Sequence, residues 1–257
     1  MVRLHRGCGG SLINSRWVLT AGHCGPGLDN FYRGNKGVTL GDHDQTDTNE
    51  TTEVEIDYTE AILHPEYKSK RANGVPLDTF DFALLKLKED IDFMKHPHIR
   101  PVCLPRDGNE DYVGRRVTMS GWGQYENGEW GLPRAEKLQH ISGVVQSNLD
   151  CSKLTWGNPK PHPIKSCLGN EPEQCAVSGI PDDLMCATFS EGKGCQGDSG
   201  GPLVTRADRN TYEQIGVVSF GGAGCNYSGE GAFARVTKVL HWIKDTVGTG
   251  HTDCPRQ

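Results

Sequence analysis

Short apolar stretches recur along the chain and are cut by Gly, Pro, Asn and Asp, a pattern of many short strands rather than of helices. It predicts strands at Trp17–Thr20, Val38–Leu40, Glu60–Leu63, Phe82–Leu87, Arg116–Met119, Gln139–Val145, Pro202–Thr205, Ile215–Ser219 and Ala232–Val236. One helix is predicted near the C-terminus, because Val239, Leu240, Ile243 and Val247 fall on one face at helical spacing. Between Trp156 and Pro181, five prolines and two cysteines mark a long loop. No internal repeat or low-complexity tract is present, and the segment Gly248 to Gln257 reads as a polar tail.

Composition narrows the class. A chain of 257 residues can fold as one all-β unit, and 33 glycines with 14 prolines supply its turns. A net charge of −6 argues against non-specific nucleic-acid binding, which needs a basic surface. The 10 cysteines are scattered singly, without a C-x-x-C pair or an H-E-x-x-H motif, so no metal and no cofactor is expected. A dispersed, even cysteine set fits an oxidising compartment, hence a secreted, extracellular protein. Asn49-Glu50-Thr51 and Asn226-Tyr227-Ser228 match the N-glycosylation pattern. No apolar run reaches the ~18 residues of a membrane span, and Met1 to His5 lacks the apolar segment of a signal peptide. The expectation is a piece of a longer precursor.

Three segments carry candidate chemistry. In Gly194-Cys195-Gln196-Gly197-Asp198-Ser199-Gly200-Gly201-Pro202, glycines flank a serine. A serine nucleophile needs an exposed hydroxyl beside free backbone N–H groups, and glycines permit the tight turn that presents both. In Leu19-Thr20-Ala21-Gly22-His23-Cys24, a histidine follows a strand beside an anchoring cysteine, as a general base requires. In Asp81-Phe82-Ala83-Leu84-Leu85-Lys86-Leu87, an aspartate opens an apolar strand, where it can accept from an imidazole N–H and fix its tautomer. Each has a plainer reading alone: a glycine-rich loop, a structural histidine, a turn aspartate.

Together the three segments resemble the chymotrypsin/trypsin family of serine proteases, in the order His, Asp, Ser. The serine motif also fits the G-x-S-x-G elbow of α/β-hydrolases, but their order is Ser, Asp, His and no alternating helices are predicted. Further matches are Cys8 to Ile13, His64-Pro65-Glu66-Tyr67, Pro101 to Pro105, Gly121-Trp122-Gly123 and Ser219-Phe220-Gly221, so the resemblance runs from about Arg3 to Val247. It implies two six-stranded antiparallel β-barrels and a C-terminal helix, with a protease domain over 1–247. The first barrel would take about 1–105, the second about 106–236 and the helix about 237–247. By resemblance Ser199 is the nucleophile, His23 its base and Asp81 the partner of His23. Gly197 and Ser199 would supply the oxyanion hole, and Ser219, Phe220 and Gly221 would pair with substrate backbone. Protein or peptide substrates and protein protease inhibitors are the implied partners.

The same resemblance implies disulfides Cys8–Cys24, Cys151–Cys186 and Cys195–Cys225, and a Cys167–Cys175 bond within the long loop. A further pair common in the family falls at Val117 and Thr205, where both cysteines are missing together. Cys103 and Cys254 remain, and Cys103 is a candidate for bonding a light chain, a propeptide or Cys254. Eight residues separate Cys186 from Cys195, which puts Lys193 at the base of the S1 pocket where trypsin-like members carry aspartate. Gly221 and Gly231 would leave that pocket open. An ammonium there needs a counter-charge. Either an acidic P1 residue supplies it, or Lys193 turns to Glu191 or Glu230 and the pocket takes large apolar residues. Asp42, Asp44 and Glu53 fall where some relatives bind calcium, although an exposed acidic loop is the simpler reading.

The chain departs from the family at its start, which lacks an Ile-Val-Gly-Gly-like segment. In relatives that amine, freed by cleavage of a zymogen, pairs with the aspartate before the nucleophile, here Asp198. Without it Asp198 is expected to lack its partner charge and the pocket to relax towards a zymogen-like state. Two other readings therefore stand beside a secreted, zymogen-derived endopeptidase. One is a catalytically silent module that binds proteins. The other is an inactive fragment.

Overall fold

The computed structural model describes residues 1–5, 7–25, 37–47, 52–69, 71–72, 75–76, 78–124, 134–151, 180–190, 197–208, 211–221 and 229–248. The strands are β1 (Val2–Leu4), β2 (Gly9–Leu12), β3 (Trp17–Thr20), β4 (Gly37–Leu40), β5 (Val54–Leu63), β6 (Arg71–Ala72), β7 (Val75–Pro76) and β8 (Ala83–Leu87), followed by β9 (Arg116–Gly121), β10 (Gln139–Gln146), β11 (Leu184–Phe189), β12 (Pro202–Arg206), β13 (Tyr212–Gly221) and β14 (Glu230–Arg235). A one-turn helix α1 (Asn148–Cys151) and a terminal helix α2 (Leu240–Val247) complete the elements used below. Two closed barrels result, in the orders β1-β2-β3-β8-β5-β4 and β10-β11-β14-β13-β12-β9, with β6 and β7 a separate pair. The barrel strands pair antiparallel with one another, as in the trypsin-like fold expected from the sequence.

Period-2 alternation explains why some strands read as unbroken apolar runs. Val18 of β3 and Leu85 and Leu87 of β8 point into the first barrel with Val2, Val38 and Leu40. Their neighbours Trp17, Leu19 and Leu84 point the other way, into a seam with Val217, Ala234, Val236, Val239 and Ile243. Both faces of these strands are largely buried, so apolar residues follow one another along them. The second barrel has its own core of Val117, Met119, Val145, Met185, Leu203, Ile215 and Phe233. Helix α2 closes the seam with the side chains named from its periodicity: Val239, Leu240 and Ile243 are buried and Val247 packs against them.

Strands β11, β5 and β1 are among those that differ from the pattern reading. The run Leu184 to Phe189 is β11, whose two faces serve different clusters and so show no alternation. Strand β5 begins at Val54 instead of Glu60, because a bulge between Tyr58 and Glu60 interrupts its alternation. Strand β1 is three residues long and too short to show a period.

Thr205 of β12 stands opposite Val117 of β9, the two positions where the resembled family carries a cystine. Both are buried. Val117→Cys with Thr205→Cys is expected to oxidise to a disulfide and raise stability by about 2–4 kcal/mol. Thiol titration and thermal melts check this; two additional free thiols under oxidising conditions would contradict the register.

Candidate active site

His23 sits in the single 3₁₀ turn Gly22–Cys24 that follows β3. The Cys8–Cys24 disulfide, with Cα atoms 6.2 Å apart, ties this turn back to β2. Gly22 lets the turn pack closely: a Cβ would stand 3.0 Å from Tyr67 and 3.1 Å from Asp81 Oδ1. The imidazole is partly open, its side chain 28% exposed, whereas Asp81 is fully buried.

Asp81 is presented by a strained turn at the entrance to β8. Phe80 has φ +48°, a costly conformation for a bulky residue. Several contacts hold it. The Phe80 N–H donates to Asp183 Oδ2 at 2.6 Å, and the Phe82 N–H donates to the Phe80 carbonyl at 2.7 Å. The Phe80 ring stacks on His64 at 5.0 Å, and Trp242 of α2 meets His64 edge-on at 4.7 Å. The terminal helix therefore buttresses the turn that aims Asp81.

The Asp81 carboxylate accepts three hydrogen bonds. His23 gives two, from its backbone N–H to Oδ1 and from Nδ1 to Oδ2, both at 2.8 Å. The third comes from the buried hydroxyl of Ser219 to Oδ2. Burial alone would raise the Asp81 pKa, but these bonds and the imidazole charge lower it. Burial likewise pushes the His23 pKa down, yet the hydrogen bond and charge of Asp81, with the charge of Asp78, raise it above its ordinary value. Asp81 thus stays ionised and accepts at Nδ1, which leaves Nε2 as the site for a mobile proton.

The Ser199 loop is clamped between the barrels. Gly9 N–H of β2 donates to the Ser199 carbonyl at 2.7 Å, and Gly200 N–H donates to Val218 of β13 at 2.8 Å. Two glycines on either side of the serine take positive φ, Gly197 at +104° and Gly200 at +80°. Gly200 packs onto Thr20 and Ala21, two residues from His23. Among the described residues no hydrogen bond engages the N–H of Gly197 or of Ser199. Asp198 is buried, its Oδ1 accepting the Gly123 N–H at 2.8 Å, and its carboxylate lies against Gly121 and Gly123.

Other predicted site residues fall as follows. Ser219, Phe220 and Gly221 lie on β13, and Gly231 of β14 pairs with Gly221 and with Ala187 of β11. Cys151 and Cys186 are joined, Cα atoms 6.0 Å apart, which anchors α1 to β11. Lys193, Cys195, Cys225, Cys167, Cys175 and Cys254 lie outside the described residues, as do Asn49 and Asn226. Cys103 is disulfide-bonded.

Among the described residues, Asp42 and Asp44 of the calcium reading are engaged by other side chains. Asp42 is buried and ion-paired with Arg3, and Asp44 accepts from Thr46 and faces Lys137. Among the described residues two clusters bring metal-capable atoms together, Cys8-His23-Cys24 and His23-Asp78-Asp81. The first has its sulfurs in a disulfide, and in the second Nδ1 and Asp81 already hold each other. The sequence reading missed two members of the site. The Ser219 side chain serves Asp81 from 138 residues away, and Asp78 lies beside the imidazole.

Comparison with known proteins agrees with this architecture. The Trypsin family model matches residues 1–243. The chain belongs to the trypsin family. Serine proteinase stubble of Drosophila melanogaster is 31% identical over 247 residues, covering 95% of this chain and 27% of that protein. Mouse ovochymase-2 is 31% identical over 255 residues, covering 95% and 37%. Serine protease 1 of Drosophila melanogaster is 31% identical over 255 residues, covering 95% and 77%. The chain thus spans well under half the length of the first two relatives and most of the third. Family membership makes it a serine-type endopeptidase domain of the trypsin-like class. Among the described residues no helix is long and apolar enough to cross a membrane.

Proposed function

We propose that this chain is the catalytic domain of a secreted serine endopeptidase that works through Ser199, His23 and Asp81, and that it is made as a zymogen. The observation that carries the reading is the buried Asp81 carboxylate bonded at 2.8 Å to both His23 N–H groups, beside a serine loop clamped across the two barrels.

His23 Nε2 takes the Ser199 proton as Oγ attacks the scissile carbonyl. The imidazolium is stabilised by Asp81, which stays ionised. The carbonyl oxygen becomes an oxyanion and is met by the N–H groups of Gly197 and Ser199, a donor of this kind being worth about 3–4 kcal/mol. His23 then returns the proton to the leaving amine, the C–N bond breaks and an acyl-Ser199 ester remains. Water, deprotonated by His23, hydrolyses that ester and restores the serine. Ser219 to Gly221 pair with the backbone of an extended substrate as an added strand in this reading.

Asp198 is the acceptor for an activation amine in this reading, supported by its burial beside the two glycines. Disulfides Cys8–Cys24 and Cys151–Cys186 support an oxidising, extracellular setting. The family resemblance assigns Lys193 to the base of S1, which would favour acidic P1 residues, or large apolar ones if the side chain turns aside. Peptides with Glu, Phe or Arg at P1 test this. Cleavage is expected after Glu or Phe, and Arg as the best substrate would overturn both S1 readings.

A further inference from the structure

Asp78 is a buried carboxylate that the mechanism above does not use; its residue is 7% exposed. It precedes Asp81 by three positions, and the left-handed Phe80 turns the chain between them. Antiparallel hydrogen bonds between Thr79 and Lys68, at 3.0 and 3.1 Å, fix the approach. As a result one oxygen of Asp78, one oxygen of Asp81 and a ring nitrogen of His23 all lie within 4.8 Å of one another. The imidazole faces two carboxylates, and among the described residues Asp81 alone is hydrogen-bonded to it. Among the described residues, the Ser219 hydroxyl on Asp81, the Cys8–Cys24 disulfide and the Tyr67 ring against Gly22 also pack around this pair.

We propose that Asp78 is a second carboxylate serving the base, a positioning residue whose negative charge stabilises the His23 imidazolium that forms when Ser199 gives up its proton. The inference rests on His23 being that base. A charge at this range acts without a hydrogen bond, because a low-dielectric pocket screens it weakly. Two neighbours register it. Burial and the charges of Asp78 and Asp81 push the Tyr67 phenol up to about 12, so it stays neutral. At His23, burial pulls the pKa down, and Asp81 and then Asp78 raise it past its ordinary value.

The sign follows. His23 must be neutral to accept a proton, so kcat/KM falls as pH drops through the His23 pKa. Asp78 moves that acid limb to higher pH. Removing its charge extends activity to lower pH. A unit charge within 4.8 Å shifts a pKa by about half a unit to two units, depending on screening.

The test is an NMR titration of the His23 imidazole in the folded chain, for wild type, Asp78→Asn and Asp78→Glu, beside pH profiles of kcat/KM. Asp78→Asn is expected to lower the His23 pKa by about half a unit to two units, and Asp78→Glu to leave it near wild type. The acid limb should move down with the imidazole pKa, giving Asp78→Asn a relative activity several-fold above wild type on the acid side. An unmoved imidazole in Asp78→Asn overturns the proposal. So does an equal shift in Asp78→Glu, which would make the residue structural. If Asp78→Asn does not fold, Asp78→Ser is titrated against the same two outcomes. The imidazole titrates whether or not the chain cleaves peptides. A shifted pKa in an inactive chain therefore counts against the proposed activity and not against the role of Asp78.

Discussion

Asp81→Asn is expected to leave the fold intact and lower kcat by about 10⁴-fold with little change in KM, and Ser199→Ala to lower it by about 10⁶-fold. The reasoning for Asp81 is geometric. Its two oxygens accept from the His23 backbone N–H, from Nδ1–H and from the Ser219 hydroxyl. Asparagine has the same shape but only one acceptor oxygen. Its NH₂ group must then face one of those donors. Relief comes if Nδ1 loses its proton and accepts, which places the imidazole proton on Nε2. That tautomer cannot take the proton of Ser199. Substrate binding is untouched because Asp81 is fully buried. The residues act as a unit, so Asp81→Asn combined with Ser199→Ala is expected to be no slower than Ser199→Ala alone. Steady-state kinetics with a melt for each variant checks this. Asp81→Asn within tenfold of wild type, or losses that add, would contradict the triad assignment.

Gly200→Ala is expected to destabilise the protein by about 3–5 kcal/mol, lowering the melting temperature by about 8–15 °C. Gly200 has φ +80°, where a side chain is strained by about 1–2 kcal/mol. Its Cβ would also run into Thr20 Oγ1, and would lie 2.5 Å from the Gly9 carbonyl and 3.2 Å from the Ala21 nitrogen. Two of these are backbone atoms and cannot rotate away. They belong to the first barrel, while Gly200 itself bonds Val218 of the second. The methyl would push the barrels apart at the point where Ser199 is held. Reactivity at Ser199 should therefore fall even at temperatures where the variant stays folded. A melt within about 1 kcal/mol of wild type would show that the clamp yields more easily than the geometry implies.

Much of this site was legible because its parts are local in sequence. Gly22 and Cys24 around His23, the apolar strand after Asp81 and the glycines around Ser199 each declare a turn or an anchor within a few residues. Helix α2 was legible because Val239, Leu240, Ile243 and Val247 face one seam. What escaped depends on contacts between distant segments. Strand β11 shows no alternation because both of its faces are buried. Ser219 was read as a backbone partner for substrate, since nothing near it in sequence signals that its hydroxyl reaches Asp81. Asp78 carries no signal in the sequence, and only the turn at Phe80 brings it beside the imidazole. Asp42 reads as an exposed acidic residue, and its burial against Arg3 requires β1 and β4 to pair first.

The central claim is that Ser199 is an activated nucleophile with its oxyanion donors in place. Labelling the purified, folded chain with a fluorophosphonate, followed by mass mapping of the adduct, tests it most directly. The account predicts a single adduct on Ser199 that is absent in Ser199→Ala and strongly reduced in Asp81→Asn. An adduct on another residue would contradict it, as would none on a folded β chain whose Asp198 is paired with a free activation amine.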